Sequence, residues 1–287
     1  MIVREIGRGI INKIAVIIGP ENTLKAEAKI RFKKEINLNS PKTLSDKICY
    51  LELRSNNPLK EICSDKYDVR SYIRSKGMEE LLIPLIGGAY GKIEDISFDD
   101  LPSKFVLKAT YGCQMNFICN DKESLDIKKC KKVMKRWLSK GFNRDVLEPH
   151  YKNIKRRIIC EQYLESTDSI LDYKIHCFNG KPEFILVCSE RNAGLKLNLY
   201  DLDWNPVPGI CGRHINDKEI QRPSQLEFML QVAEKLSVEF DFVRVDLYQI
   251  DKKVYFGELT FTPDGGMLSY FTKEFDAAMG DKLQINI

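Results

Sequence analysis

Two carboxylates near the C-terminus, Asp246 and Glu258, fall on what reads as one β-hairpin, and no other feature limits the chain so tightly. The first arm, Phe242 to Tyr248, alternates apolar with polar or amphipathic residues, so Arg244, Asp246 and Tyr248 share a face. The second arm, Val254 to Thr260, puts Glu258 and Thr260 together. With Asp251-Lys252-Lys253 as a three-residue loop, Asp246 pairs with Glu258 and Arg244 with Thr260. Two acids directly opposed on a sheet repel each other, and a divalent cation offsets that cost. Hard oxygen ligands without neighbouring His or Cys suit Mg²⁺ or Mn²⁺ rather than zinc. Mg²⁺ usually combines one or two carboxylates with substrate phosphates, which makes a nucleotide the natural partner. The competing reading is a solvated surface hairpin on which Arg244 neutralises one acid.

The 287 residues, 43% of them hydrophobic, suffice for one large domain or two ordinary ones with a real core. A net charge of +4, from 45 basic and 41 acidic residues evenly mixed, gives no footprint for nucleic acid and leaves anionic small substrates open. Nine cysteines, an odd number without C-x-x-C pairs or a secretory leader, point to reduced thiols in a cytoplasmic protein. Cys160, Cys177 and Cys188 lie in apolar runs and read as buried small hydrophobes. His150, His176 and His214 have no ligand spacing and read as structural or surface residues. The apolar run Ile14 to Ile18 is too short for a transmembrane segment. Ile6, Ile10 and Ile14 recur at helical spacing beside Arg4, Arg8 and Lys13, which fits a helix packed on the domain or one lying on a membrane surface; packing is the favoured reading.

Up to about Pro102 the pattern is charged and mostly helical, with helices expected over Leu44 to Leu53 and Asp65 to Lys76, then an apolar run from Leu81 to Ile86 closed by Gly87-Gly88. From Phe105 the texture changes to strands: Phe105 to Lys108, Ile158 to Glu161, Tyr173 to Phe178, Phe184 to Cys188 and the hairpin. Two helices interrupt them. One, around Ser124 to Leu138, carries an apolar face and a lysine-rich, solvated one. The other opens on Ser224 and Glu227, a capping-box spacing, and turns Leu226, Met229, Leu230, Ala233 and Leu236 inward. The order implies α+β architecture, divided into residues 1–102 and 103–287.

Lys108 ends an apolar strand and leads into a loop with one glycine, Gly112, where an ammonium and backbone amides can meet phosphate oxygens. Lys174 lies in Asp172 to Phe178, with Asn179-Gly180 as the turn into Lys181. Alternation puts Asp172 and Lys174 on one face, where a simple ion pair is the plainer reading. The order strand-Lys, loop, Glu161 strand, Asp-x-Lys hairpin, Arg-x-Asp strand and Glu strand resembles the ATP-grasp ligases. The wording resembles their TupA-like branch, named for teichuronopeptide biosynthesis. The resembling stretches are Ser64 to Arg70, Phe105 to Gly112, Ile159 to Leu164, Asp172 to Pro182, Tyr200 to Trp204 and, most specifically, Phe242 to Pro263.

The resemblance implies an ATP-grasp fold, in which two α+β subdomains clamp the nucleotide behind a smaller, mostly helical N-terminal domain. It implies ATP and Mg²⁺ (or Mn²⁺) as cofactors, with Lys108 and Lys174 on the phosphates and the Gly112 loop covering them. Glu161, Gln162, Tyr163 and Leu164 would form the hinge that meets adenine, and Asp172 would reach the ribose. Asp246 and Glu258 would hold the metal, with Thr260 a weaker, neutral ligand where many relatives have Asn. Arg244 would meet the acyl phosphate, while Arg191, Lys196 and Asn198 fall where related ligases grip the transferred phosphate or the acceptor. The implied reaction is ADP-forming carboxylate–amine ligation in surface polysaccharide or peptide-modified glycan synthesis. Its partners would be a small-molecule or glycan-linked acid and an amine, with peripheral contact to membrane-bound machinery left open. A glycosyltransferase, a phosphotransferase on the same fold and a non-catalytic nucleotide-binding protein are the alternatives. Replacing Asp246 or Glu258 by its amide is expected to stop turnover and spare the fold.

Overall fold

The computed structural model describes residues 13–139, 146–166, 170–189 and 196–286. Its strands are β1 (Leu85–Tyr90), β2 (Phe105–Ala109), β3 (Asn116–Cys119), β4 (Ile158–Gln162), β5 (Asp172–Phe178), β6 (Lys181–Ser189), β7 (Lys196–Tyr200), β8 (Phe242–Ile250) and β9 (Lys253–Thr260). They form two antiparallel sheets, a four-stranded one in the order β1-β4-β2-β3 and a five-stranded one in the order β7-β6-β5-β8-β9. With the helices packed against them this is an α+β architecture, as the order of the elements in the sequence implies. The run expected to stop at Gly87-Gly88 continues through both glycines as β1, which pairs with β4.

Period-two alternation places the five-stranded sheet between two cores. Tyr173, Ile175, Cys177, Val243, Val245 and Leu247 enter one, which is covered by the helices Val69–Ser75 and Leu226–Ser237. Phe178, Phe184, Leu186 and Phe242 enter the other, under the helices Leu44–Arg54 and Lys273–Lys282. Asp172, Lys174, His176, Arg244 and Asp246 share that second face, so the charges of interest continue an apolar core. All seven residues of β5 are buried. The smaller sheet packs Phe105, Leu107 and Ala109 against Cys130 and Met134 of the helix Ile127–Ser139, leaving Val106 and Lys108 half-buried on its opposite face.

Local signals explain most boundaries. Thr43 and Asp46 make a reciprocal capping box at the helix Leu44–Arg54. The box expected at Ser224 does not form: the Ser224 hydroxyl accepts from Gln249 Nε2 and Glu227 pairs with Arg222, so tertiary partners take both side chains. Asn179 and Gly180, with φ of 48° and 81°, make the expected two-residue turn between β5 and β6. All nine cysteines are free thiols, and Cys160, Cys177 and Cys188 are buried. Among the described residues no helix is long and apolar enough to cross a membrane. Ile6, Ile10, Arg4 and Arg8 lie outside the described residues; in the remainder of that stretch Ile14, Val16, Ile17 and Ile18 are exposed rather than packed.

Candidate active site

The hairpin pairs Asp246 with Glu258 and Arg244 with Thr260, as the sequence pattern requires, but by a different route. The turn is Asp251-Lys252, two residues rather than three, with Ile250 facing Lys253 and Asp251 at φ 53°. A bulge at Gly257 then adds the missing residue and restores the register. Glycine is required there by close approach: a Cβ would stand 2.9 Å from the Asp246 carbonyl oxygen and 3.0 Å from the Tyr248 ring.

Asp246 is 1% exposed and sits at the centre of a charge cluster. Arg244 donates to it twice, Nε to Oδ1 at 2.7 Å and Nη2 to Oδ2 at 2.8 Å, in bidentate fashion. Lys174 Nζ also binds Asp246 Oδ2 and lies 2.7 Å from Asp172 Oδ2. Burial disfavours the Asp246 charge, yet Arg244 and then Lys174 outweigh it and hold the carboxyl below its ordinary value. Burial likewise opposes the Arg244 charge, and Asp246 reverses the effect and raises its pKa. The expectation that an Asp246 amide spares the fold is therefore corrected, because this acid balances two buried cations. Glu258 differs: its side chain is 39% exposed.

One nitrogen touches the whole proposed metal set. Arg244 Nη2 lies 2.8 Å from Asp246 Oδ2, 3.1 Å from Thr260 Oγ1 and 3.7 Å from Glu258 Oε1. Three hard oxygens thus converge on a point at which a cationic group already stands. That donor set fits Mg²⁺ or Mn²⁺ with phosphate oxygens completing the sphere. Among the described residues no group of three or more His, Cys, Asp or Glu that could hold a metal ion is gathered.

On the facing sheet, Lys108 Nζ lies 2.5 Å from Glu161 Oε2. Beyond Glu161, Gln162, Tyr163 and Leu164 line a cleft of about 550 Å³ whose other wall is Ile250 to Lys253 and Tyr255, the tip of the β8–β9 hairpin. The structure therefore joins the expected hinge to the hairpin across a cleft. Gly112 has φ 67°, and its carbonyl accepts from Lys66 Nζ at 2.7 Å. Lys196 is set apart: β6 and β5 separate its strand from β8, and its Nζ donates to the Ile215 carbonyl at 2.8 Å. Asn198 accepts from Asn216 Nδ2 at 2.9 Å on the same strand. Arg191 lies outside the described residues.

Sequence reasoning missed several neighbours. Lys66 and Arg70 line a small cavity with Lys108 and Glu161, although only their place in the Ser64 to Arg70 stretch drew notice. Tyr151 is pushed well up in pKa by burial, then by Glu148 and Glu258, and Thr262 Oγ1 donates to Glu148 at 2.5 Å just past β9. Tyr270 is buried and raised in pKa by burial, opposed by nearby Arg244. None has a spacing signal, because Lys66, Arg70, Glu148, Tyr151 and Tyr270 come from segments outside the strands that carry the cluster.

A model of the TupA-like ATP-grasp family matches residues 46–284, and the chain belongs to that family. It is similar to a D-alanine–D-alanine ligase from Bacillus anthracis, at 19% identity and a TM-score of 0.46 over 77% of this chain and 62% of that one. An L-amino acid ligase from Bacillus licheniformis is similar at 16% identity and a TM-score of 0.46, over 74% of this chain and 46% of that one. The chain thus spans under two thirds of the length of either structure. No curated protein matches it.

Proposed function

We propose that the protein is a cytoplasmic, ATP-dependent, ADP-forming ligase that joins a carboxylate to an amine through an acyl phosphate, in the synthesis of surface polysaccharide or peptide-modified glycan. The observation that carries this reading is the convergence of Asp246, Glu258 and Thr260 oxygens on Arg244 Nη2, with Lys174 in the same cluster and the Lys108 pair on the facing sheet.

A carboxylate does not react with an amine near neutral pH because oxide is a poor leaving group. Phosphorylation divides that barrier into two lower ones. Gln162 to Leu164 and the hairpin tip hold the base in the cleft, and Lys108 and Lys174 neutralise the phosphate oxygens. Mg²⁺ or Mn²⁺ held by Asp246, Glu258 and Thr260 supplies charge neutralisation at the transferred phosphoryl group. The substrate oxygen attacks the γ-phosphorus in line as the bond to the β-phosphate oxygen breaks, and ADP leaves. The amine then attacks the acyl carbon, the C–N bond forms, the C–O bond to phosphate breaks and inorganic phosphate departs with the proton balance passing to solvent. Arg244, held by its two hydrogen bonds to Asp246, would stand beside the acyl group and donate to its tetrahedral oxyanion. The Gly112 loop, held by Lys66, excludes water that would hydrolyse the acyl phosphate.

Incubation with ATP, Mg²⁺ and panels of acids and amines is expected to release ADP and inorganic phosphate only when both partners are present. Release of AMP, or tighter binding of a sugar nucleotide than of ATP in a thermal-shift assay, would overturn the reading. Phosphoryl transfer to the acid without dependence on an amine would favour a phosphotransferase.

A further inference from the structure

Lys108 has two competing partners. Its ammonium lies 2.5 Å from Glu161 Oε2, while the proposed function directs the same group to a nucleotide phosphate. Glu161 is 7% exposed, and a buried carboxylate that loses its cation is strongly destabilised. A second cation must therefore stand by Glu161 if Lys108 is to turn away.

The surroundings hold one group with the right charge and an unused donor. A cavity of about 10 Å³, the size of a single water, is lined by Lys66, Arg70, Lys108 and Glu161 and closed by Phe256 and Gly257 of β9. Arg70 is 7% exposed, and its Nε has no hydrogen-bond partner among the described residues. A guanidinium stays charged and carries five N–H donors in a fixed fork matched to a carboxylate, so an idle buried Nε is capacity for an anion. Burial lowers the Arg70 pKa, and Glu161 is the first group to oppose that shift. Lys66 is already engaged by the Gly112 carbonyl. The helix Val69–Ser75 keeps Arg70 in place because Val69, Tyr72 and Ile73 anchor it in the main core.

We propose that Arg70 is a positioning residue of the nucleotide site: it takes Glu161 as counter-ion and so releases Lys108 to the phosphates. This inference rests on the nucleotide reading above. Its test is calorimetric titration of Mg²⁺–ATP into the wild-type protein, Arg70→Met, Arg70→Lys, Glu161→Gln and the double variant Arg70→Met/Glu161→Gln. Arg70→Met is expected to weaken ATP roughly tenfold, within the range for coupled charged neighbours, and Arg70→Lys to recover most of the loss. With Glu161 already Gln, the same Arg70→Met change is expected to cost less than about threefold, because no charge then needs balancing. A merely structural arginine would weaken ATP equally in both backgrounds, and that equality would overturn the proposal, as would undiminished binding by Arg70→Met. If Arg70→Met does not fold, Arg70→Lys carries the comparison, and a tenfold loss there overturns it. Absence of ATP binding by the wild-type protein would instead remove the nucleotide reading, and this inference with it.

Discussion

On the five-stranded sheet, Asp172, Lys174, Arg244 and Asp246 stand on one face, all buried, each held by at least one of the others. On the four-stranded sheet, Lys108 and Glu161 form a single pair whose lysine is half-buried on the face turned toward β9. The difference follows from coverage. Helices close both faces of the larger sheet, so its charges are cut off from water and satisfy one another, whereas the smaller sheet is covered mainly on the side of its own core. A preorganised array suits chemistry at fixed points, and a simpler pair that can exchange partners suits ligand entry.

The sharpest way to break this contrast is Asp246→Asn. It leaves Arg244 and Lys174 facing an amide, and unfolding by urea is expected to show a loss of about 3–5 kcal/mol together with loss of ADP release. Unchanged stability would mean that the buried cluster is not preorganised at all.

Acid should find the same half of the molecule next. Burial, then Lys60, lowers the His150 pKa to about 3, and burial, then Arg244, takes His176 well below its ordinary 6.5. Both remain neutral in the folded protein while the unfolded chain protonates near 6.5. Their contribution is thus fully present above that pH and is lost as pH falls through each depressed folded pKa, about 3 for His150. At pH 5 the expected loss from His150 is about 2 kcal/mol, and His176 adds to it in the same direction. Urea midpoints at pH 7.5 and pH 5 measure it, and His150→Leu should remove its roughly 2 kcal/mol share of the difference. Gly257→Ala comes after these: its Cβ would press on the Asp246 carbonyl and the Tyr248 ring, with an expected cost of about 1–3 kcal/mol. An alanine variant of wild-type stability would show that the bulge is soft rather than fixed.

Gly257 also marks where the sequence stops being legible. Alternation in the two arms opposes Asp246 to Glu258 and Arg244 to Thr260, as the structure does, yet a three-residue loop needs no bulge to reach that pairing, whereas the structure reaches it through a two-residue turn and a bulge at Gly257. A bulge is set by what the partner strand presents, here Tyr248, which composition does not announce. The depth of Asp246 was likewise hidden, because the cover comes from the helices Leu44–Arg54 and Lys273–Lys282, distant on either side in sequence. Asp172 with Lys174 was readable from a spacing of two. Arg70 was not, since its helix reads as ordinary amphipathic structure until the fold sets it beside Glu161.

The smallest expected effect on stability, from Glu258→Gln, sharpens the contrast within the hairpin itself. Glu258 opposes Asp246 on the neighbouring strand, but its side chain is 39% exposed and its ion-pair contact with Arg244 is long, at 3.7 Å. Exposed pairs of this kind contribute little, and the urea midpoint should move by less than about 0.5 kcal/mol. ADP release should nevertheless fall by more than the roughly 10–100-fold typical of losing an outer partner of a metal ligand, because Glu258 is proposed to bind the metal directly. Mn²⁺ binding followed by electron paramagnetic resonance separates the two effects: the variant should keep its fold and lose the ion. If it bound Mn²⁺ as the wild type does, the carboxylate would be a solvated hairpin acid. The shared point marked by Arg244 Nη2 would then belong to the guanidinium alone.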